Sequence, residues 1–155
     1  MAISKKHVSK MESSDADEVW VWVGMHHLLL RTIGRRTGTE HKVALPFWRD
    51  PDGHRIVVAS FAGAAADPAW FLNLADREAN PTVRVVVQGG SFWSEPEVLD
   101  GEERGRIWDL LVVDRPHYVD YQRSTERTIP LVRLREPCGG SEAASTVPDG
   151  SSGLG

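Results

Sequence analysis

Cysteine is nearly absent from this chain. The single residue, Cys138, excludes an intrachain disulfide and a four-cysteine zinc site. Its Gly/Ser-rich surroundings and lack of a partner fit a reducing cytoplasm. No stretch approaches the roughly 18 apolar residues that a membrane span requires. The N-terminus, with Lys5, Lys6 and Lys10 ahead of Glu12, Asp15 and Asp17, lacks the apolar core of a signal peptide. A cytoplasmic protein without membrane association is expected. Positive charge is not in surplus either: 18 Lys and Arg face 22 Asp and Glu, a formal net charge of -4. Whole-chain attraction to nucleic acid is therefore not expected.

Familiar catalytic and cofactor signatures are missing as well. No G-x-G-x-x-G follows a strand-like run, so a Rossmann nicotinamide site has no anchor. The segment Gly34 to Lys42 lacks the G-K-[ST] ending of a phosphate loop. Ser60, in Val58-Ala59-Ser60-Phe61-Ala62, lacks the flanking glycines of a nucleophile elbow. The six histidines are scattered, and the adjacent His26 and His27 would point to opposite faces of a strand, so no metal site is expected.

What remains is an ordinary globular composition over 155 residues, 41% hydrophobic and 26% charged, consistent with one domain. Six tryptophans would serve mainly as core. Residues 1–17 read as a disordered tail, 18–137 as the folded domain, and 138–155 as a second, Gly/Ser-rich tail. Strand-like runs occur at 26–33, 42–48, 55–61, 83–87, 92–99 and 128–134, the first two joined by a glycine-flanked connection. Pro96 inside the fifth run marks an edge or a bulge. A helix is predicted over 68–77, with Asp67 as N-cap and Pro68 in the first turn. A second follows Asp100, whose spacing to Glu103 resembles a capping box, and a short third spans 117–123. Six strands without strict strand–helix alternation argue for an α+β fold closed as a small antiparallel barrel, with two or three helices at its rim.

Three features could carry chemistry. Between residues 31 and 49 stand five cations, Arg31, Arg35, Arg36, Lys42 and Arg49, against one anion, Glu40, in a chain that is negative overall. Guanidinium groups bind phosphates and carboxylates in a fork, and a glycine-flanked turn lets backbone N–H groups approach an anion. Gly34-Arg35-Arg36-Thr37-Gly38 is thus either a polyanion cradle or a solvated hairpin tip. Tyr118 and Tyr121, three apart on a helix, share a face that could wall a flat ligand or pack on the barrel. Asn73, near Trp70, could meet a ligand amide or bond to backbone.

The order of these pieces resembles a known family. The runs Leu29-Leu30-Arg31-Thr32-Ile33-Gly34-Arg35-Arg36-Thr37-Gly38, Val57-Val58-Ala59-Ser60 and Asp67-Pro68-Ala69-Trp70-Phe71-Leu72-Asn73-Leu74 come first. Ala79-Asn80-Pro81-Thr82-Val83, Gly101-Glu102-Glu103-Arg104, Tyr118-Val119-Asp120-Tyr121-Gln122 and Arg127-Thr128-Ile129-Pro130 follow in line. Together they resemble the deazaflavin (F420)-dependent nitroreductases of actinobacteria, which are split β-barrels. The resemblance implies that Arg35, Arg36 and Thr37, with His41 and Lys42, bind the phosphate and glutamyl tail of coenzyme F420. It implies that Val58, Ala59, Ser60, Ala69 and Asn73 line the deazaflavin ring, and that Tyr118 and Tyr121 face the cofactor and the substrate side.

The implied activity is hydride transfer from reduced F420 to an electron-poor acceptor such as a quinone, an activated enone or a nitroaromatic, with Tyr118 or Tyr121 supplying the proton. Related split barrels bind flavin mononucleotide (FMN), which gives an alternative cofactor, and a non-catalytic deazaflavin-binding protein is a third reading. A homodimer would fit the fold. Two positions depart from the family pattern: a lysine and two glycines often follow the strand serine, where this chain reads Phe61-Ala62-Gly63. Members acting on nitroimidazoles carry an aromatic where Asp114 and Arg115 precede Pro116.

Overall fold

Leu28 and Leu30 fall on one side of an extended run and Leu29 on the other, and the structure buries all three completely. That run needs cover on both faces, and the architecture supplies it. The computed structural model describes residues 5–22 and 24–136. In chain order the elements are α1 (Lys5–Ser13), α2 (Asp17–Trp20), β1 (Val21–Trp22), β2 (Met25–Ile33), β3 (Glu40–Pro46), β4 (Trp48–Arg49) and β5 (Arg55–Val58). A one-turn 3-10 helix (Phe61–Gly63) follows, then α3 (Ala69–Ala75), β6 (Val83–Val87), β7 (Gly90–Ser94), β8 (Pro96–Val98), α4 (Gly101–Asp114), α5 (His117–Arg123) and β9 (Leu131–Leu134).

All pairings are antiparallel. One sheet runs β1-β2-β6-β7, with β3 also paired to β2, and the other runs β4-β5-β9-β8. Phe47 alone separates β3 from β4, and Glu95 alone separates β7 from β8. Two long strands are thus shared between the sheets, and apart from the two-residue β1 the result is a split barrel of six strands in an α+β fold. The single fifth strand expected over 92–99 bends beside Pro96. This proline opens β8 at the edge of its sheet, where its missing N–H is tolerated.

Three apolar layers follow from the strand periodicity. Inside the barrel Leu28, Leu30, Val57, Ala59, Val83, Val85, Val132 and Leu134 meet Trp70, Phe71 and Leu74 of α3. Outside the first sheet, Leu29 and Ala44 are covered by Val8 and Met11 of α1 and by Val19 and Trp20. Outside the second, Ile56 and Leu131 are covered by Ile107, Leu111 and Tyr118 of α4 and α5.

Several expectations need correction. The supposed N-terminal tail contains a helix: Val8 and Met11, one turn apart, bury an apolar stripe that its polar neighbours disguise. With α1 and α2 the helices number five among the described residues. Pro68, not Asp67, is the N-cap of α3, because Asp67 is drawn away to Arg127 at 2.7 Å. Asp100 does precede α4 but makes no side-chain cap, and Glu103 turns to Arg106 and Arg133 instead. The tail assigned to 138–155 lies outside the described residues. No helix among those described is long and apolar enough to cross a membrane.

Candidate active site

The β2–β3 connection is built around Gly34. Its N–H donates to the Thr39 carbonyl at 2.7 Å, and its own carbonyl accepts from Gly38 N–H at 2.9 Å. A Cβ at Gly34 would stand 2.7 Å from Thr37 Oγ1 and 2.9 Å from His41 Nε2, so only glycine leaves room for those side chains. Asn73 Oδ1, on buried α3, accepts from the Arg35 N–H at 3.2 Å and from its guanidinium at 2.9 Å. Asn80 completes the anchor: it donates to the Ile33 and Asn73 carbonyls, both at 2.8 Å, and accepts from Ile33 N–H at 2.7 Å.

The cations of this segment are sorted by strand geometry. His41 pairs with Thr32 and Lys42 with Arg31 across β3 and β2, so the two basic residues leave on opposite faces. Lys42 and Arg31 both reach Glu12 of α1, at 2.8 Å and 3.0 Å. These contacts hold Glu12 below the usual carboxylate range, chiefly through Lys42. Arg35 and Arg36 have no carboxylate within 4.0 Å among the described residues, and the N–H groups of Arg36 and Thr37 make no hydrogen bond there. The turn is therefore rich in uncommitted donors.

A second wall is formed where β5 ends. Val58 packs into the outer layer, Ala59 is wholly buried inside the barrel, and Ser60 leaves the strand half-buried with no partner for its hydroxyl among the described residues. The next residues, Phe61 and Ala62, have φ of 46° and 53° in the left-handed region, ahead of Gly63 at 80°. Arg127 fastens this loop. Its guanidinium donates to the carbonyls of Ala59 (3.1 Å), Ser60 (2.7 Å) and Ala64 (2.9 Å) and to Asp67. Gln122 of α5 holds the Arg127 carbonyl at 2.7 Å and accepts from Ile129 N–H at 3.0 Å.

The two tyrosines of α5 have different environments. Tyr118 is 3% exposed and packs with Ile107, Leu111 and Leu131, and burial pushes its phenol above the ordinary value despite Arg115 beside it. Tyr121 is only partly buried, with ring centres 6.0 Å from Tyr118 and 5.6 Å from His117. Its backbone lies against Gly63, where an added Cβ would be 2.8 Å from the Tyr121 carbonyl. The backbone at Tyr121 therefore borders the loop that follows Ser60, while Tyr121, like Val58, packs against the outer layer.

Of the sequence candidates, Arg35, Asn73, Thr37 and His41 are drawn together around Gly34, with Arg36 exposed on the same turn and Ala69 exposed at the start of α3. Lys42 stands apart on the other face. Arg127 and Asn80 were present in the sequence motifs without an assigned role, because their partners lie 60 and 47 residues away. A cavity of about 590 Å³ beside Arg77, Pro96, Val98 and Arg135 includes none of the candidates. No cluster of three or more His, Cys, Asp or Glu able to hold a metal occurs among the described residues.

The split barrel carries an anion-receptive turn on its first sheet and, at the end of β5 in the second, a Ser60 hydroxyl without a partner among the described residues, groups of the kind that hold an anionic cofactor. The model of the F420H(2)-dependent quinone reductase family matches residues 3–136, and the chain belongs to that family. An F420H(2)-dependent quinone reductase of Mycobacterium tuberculosis is 33% identical over 110 residues, covering 69% of this chain and 71% of that one. A solved F420-H2 dependent reductase (FDR-A) is 33% identical with a TM-score of 0.59, covering 70% of this chain and 93% of its own. A structure described as a domain-swapped dimer is 27% identical with a TM-score of 0.62, covering 84% and 96%. The chain is thus an oxidoreductase whose hydride donor is reduced F420, and the FMN alternative is without support.

Proposed function

We propose that the chain reduces a quinone with a hydride from F420H2, gripping the cofactor's anionic tail with Arg35, Arg36, Thr37 and His41. Ser60, Ala69 and Asn73 seat the ring, with Val58 and Ala59 as the strand behind it. The observation that carries this reading is the set of uncommitted donors beside the Arg35–Asn73 anchor: the Arg36 guanidinium and the backbone N–H groups of Arg36 and Thr37. Such a set suits phosphate and carboxylate oxygens, and the pinned backbone needs no reorganisation to meet them.

Bound F420H2 supplies the hydride. A quinone that accepts it carries negative charge on oxygen and needs one proton to leave as hydroquinone; an activated enone or a nitro compound makes the same demand. Tyr121, only partly buried, supplies a hydrogen bond and then that proton from its phenol. Tyr118 is a positioning residue that holds Tyr121 edge-on. The ion pair with Glu12 leaves Lys42 a minor part in tail binding.

Two coarser features complete the proposal. The chain works as a homodimer, a reading supported by the domain-swapped relative and tested by light scattering on the eluted protein. Its compartment is the cytoplasm, in keeping with its single cysteine.

The test is a fluorescence titration with oxidised F420, run in parallel with FMN. Micromolar or tighter binding of F420 alone is expected. Arg35→Ala combined with Arg36→Ala should weaken it about 100-fold, as for the loss of two charge-assisted contacts, while the fold loses only the Arg35 guanidinium bond to Asn73, about 1 kcal/mol. Unchanged affinity in that variant, or binding of FMN in place of F420, overturns the reading.

A further inference from the structure

Phe61 is 52% exposed, belongs to none of the three apolar layers and makes no contact with another aromatic ring among the described residues. Trp93 is as exposed and Val113 more so, but they sit in a regular strand and a regular helix. Phe61 instead holds φ at 46°, where a Cβ crowds the following carbonyl. The backbone cannot relax out of this conformation. The Ser60 carbonyl on one side accepts from Arg127 at 2.7 Å and from Gly63 N–H at 2.8 Å, and the Phe61 carbonyl accepts from Ala64 N–H at 3.0 Å. A Cβ added at Gly63 would stand 2.8 Å from the Tyr121 carbonyl and 2.9 Å from the Ser124 Cβ, so the turn lies close against the end of α5.

An aromatic ring is therefore presented to solvent by a strained turn that the surrounding structure over-determines. Strain of this kind, retained without any internal packing return, collects at ligand sites. The turn lies between the Ser60 hydroxyl and Tyr121.

We propose that Phe61 determines acceptor specificity, its ring forming with Tyr121 an apolar clamp for a flat, electron-poor ring such as a fused quinone. This rests on the reading that Ser60 and Tyr121 bound the reaction site. The cofactor tail is assigned above to the turn anchored to α3, whereas the turn that bears Phe61 is closed against the end of α5 through Gly63, the side assigned to the acceptor. A face-on or offset stack on the phenyl ring would select planar acceptors over saturated or branched ones.

The experiment uses Phe61→Ala, Phe61→Gly and Phe61→Tyr in the full chain, with 2,3-dimethyl-1,4-naphthoquinone as probe. Its Kd is read by quenching of intrinsic fluorescence without cofactor, its KM in turnover, the F420 Kd by titration, and folding by thermal unfolding. Ala and Gly should raise both quinone constants about fivefold and leave the F420 Kd within about twofold, while Tyr retains the wild-type values. Phe61→Gly should unfold no earlier than the wild type, because it releases the strained φ. Quinone constants within about twofold of wild type in both Ala and Gly overturn the proposal. So does a loss confined to F420 affinity. The cofactor-free quinone Kd judges Phe61 by itself, so a wild-type chain that fails to bind F420 sinks only the underlying assignment of the tail.

Discussion

Asn73 Oδ1 accepts two hydrogen bonds from Arg35, one from its backbone N–H and one from its guanidinium, and so fixes both the turn and the direction of its first cation. Asn73→Ala removes both acceptor contacts at a site only 6% exposed. It should cost about 1–3 kcal/mol of stability through the unsatisfied Arg35 donors and weaken F420 about tenfold. Urea unfolding and cofactor titration on the same preparation check both numbers.

Lys42 and Arg36 are nominally equal cations of one segment, yet only Lys42 faces a carboxylate. Lys42→Ala should change the F420 Kd by less than about twofold, whereas Arg36→Ala should raise it about tenfold. Equal losses in the two variants would mean that Lys42 leaves Glu12 to meet the cofactor.

Arg127 satisfies three carbonyls and Asp67 with one planar group, 13% exposed. A lysine has neither the fork nor enough donors in that plane. Arg127→Lys should lower stability by about 2 kcal/mol or more and weaken F420 as Ser60 shifts. Stability within 0.5 kcal/mol of wild type, about the scatter for neutral surface changes, would show that the loop holds itself.

His27 is 4% exposed, stacked on Trp22 at 3.5 Å with its Nδ1 3.0 Å from the Met25 carbonyl, and burial lowers its pKa from the ordinary 6.5 to about 4. The unfolded chain therefore binds the proton first. Stability is full above about pH 6.5 and falls as pH drops through 4, by about 3 kcal/mol in all. His27→Phe should flatten that part of the pH dependence, read from urea midpoints at pH 7 and 4.5. His117, also lowered by burial and then by Arg115, stays in both proteins and cancels in the difference.

Ala62, at φ 53°, sits where glycine is at ease. Ala62→Gly should gain about 1 kcal/mol, or about 3 °C in Tm. Gly63→Ala should do the reverse and displace α5, because its Cβ would meet the Tyr121 carbonyl at 2.8 Å. Circular dichroism melts of both variants give the signs.

Much of this architecture is legible without coordinates. The apolar run Leu28-Leu29-Leu30 and the alternation of Val83, Val85 and Val87, together with the Asp50-Pro51-Asp52-Gly53 and Gly89-Gly90 turns, mark the strands and their hairpins. The cluster of arginines marks the anion wall. What the chain hides is which face of a strand each cation takes and which distant carboxylate waits there. Lys42 beside His41 looks like one patch until α1 delivers Glu12, and α1 itself is disguised because Val8 and Met11 are its sole buried apolar residues. Asp67 reads as a helix cap because capping is local, while its partner Arg127 is 60 residues away. Tyr118 and Tyr121 share a helix face by spacing alone, and only the packing of α4 and α5 tells the core ring from the open one.

Phe47 and Glu95 are single residues at which a strand leaves one sheet and joins the other. The turn bearing Arg35 grows from the first sheet and Ser60 from the second, so the interval between them is set by the girth of the barrel and not by the slack of any loop. A bulkier or more mobile connection at either seam would change the reach of the site, and therefore the length of cofactor it can hold taut, without altering one residue that touches it.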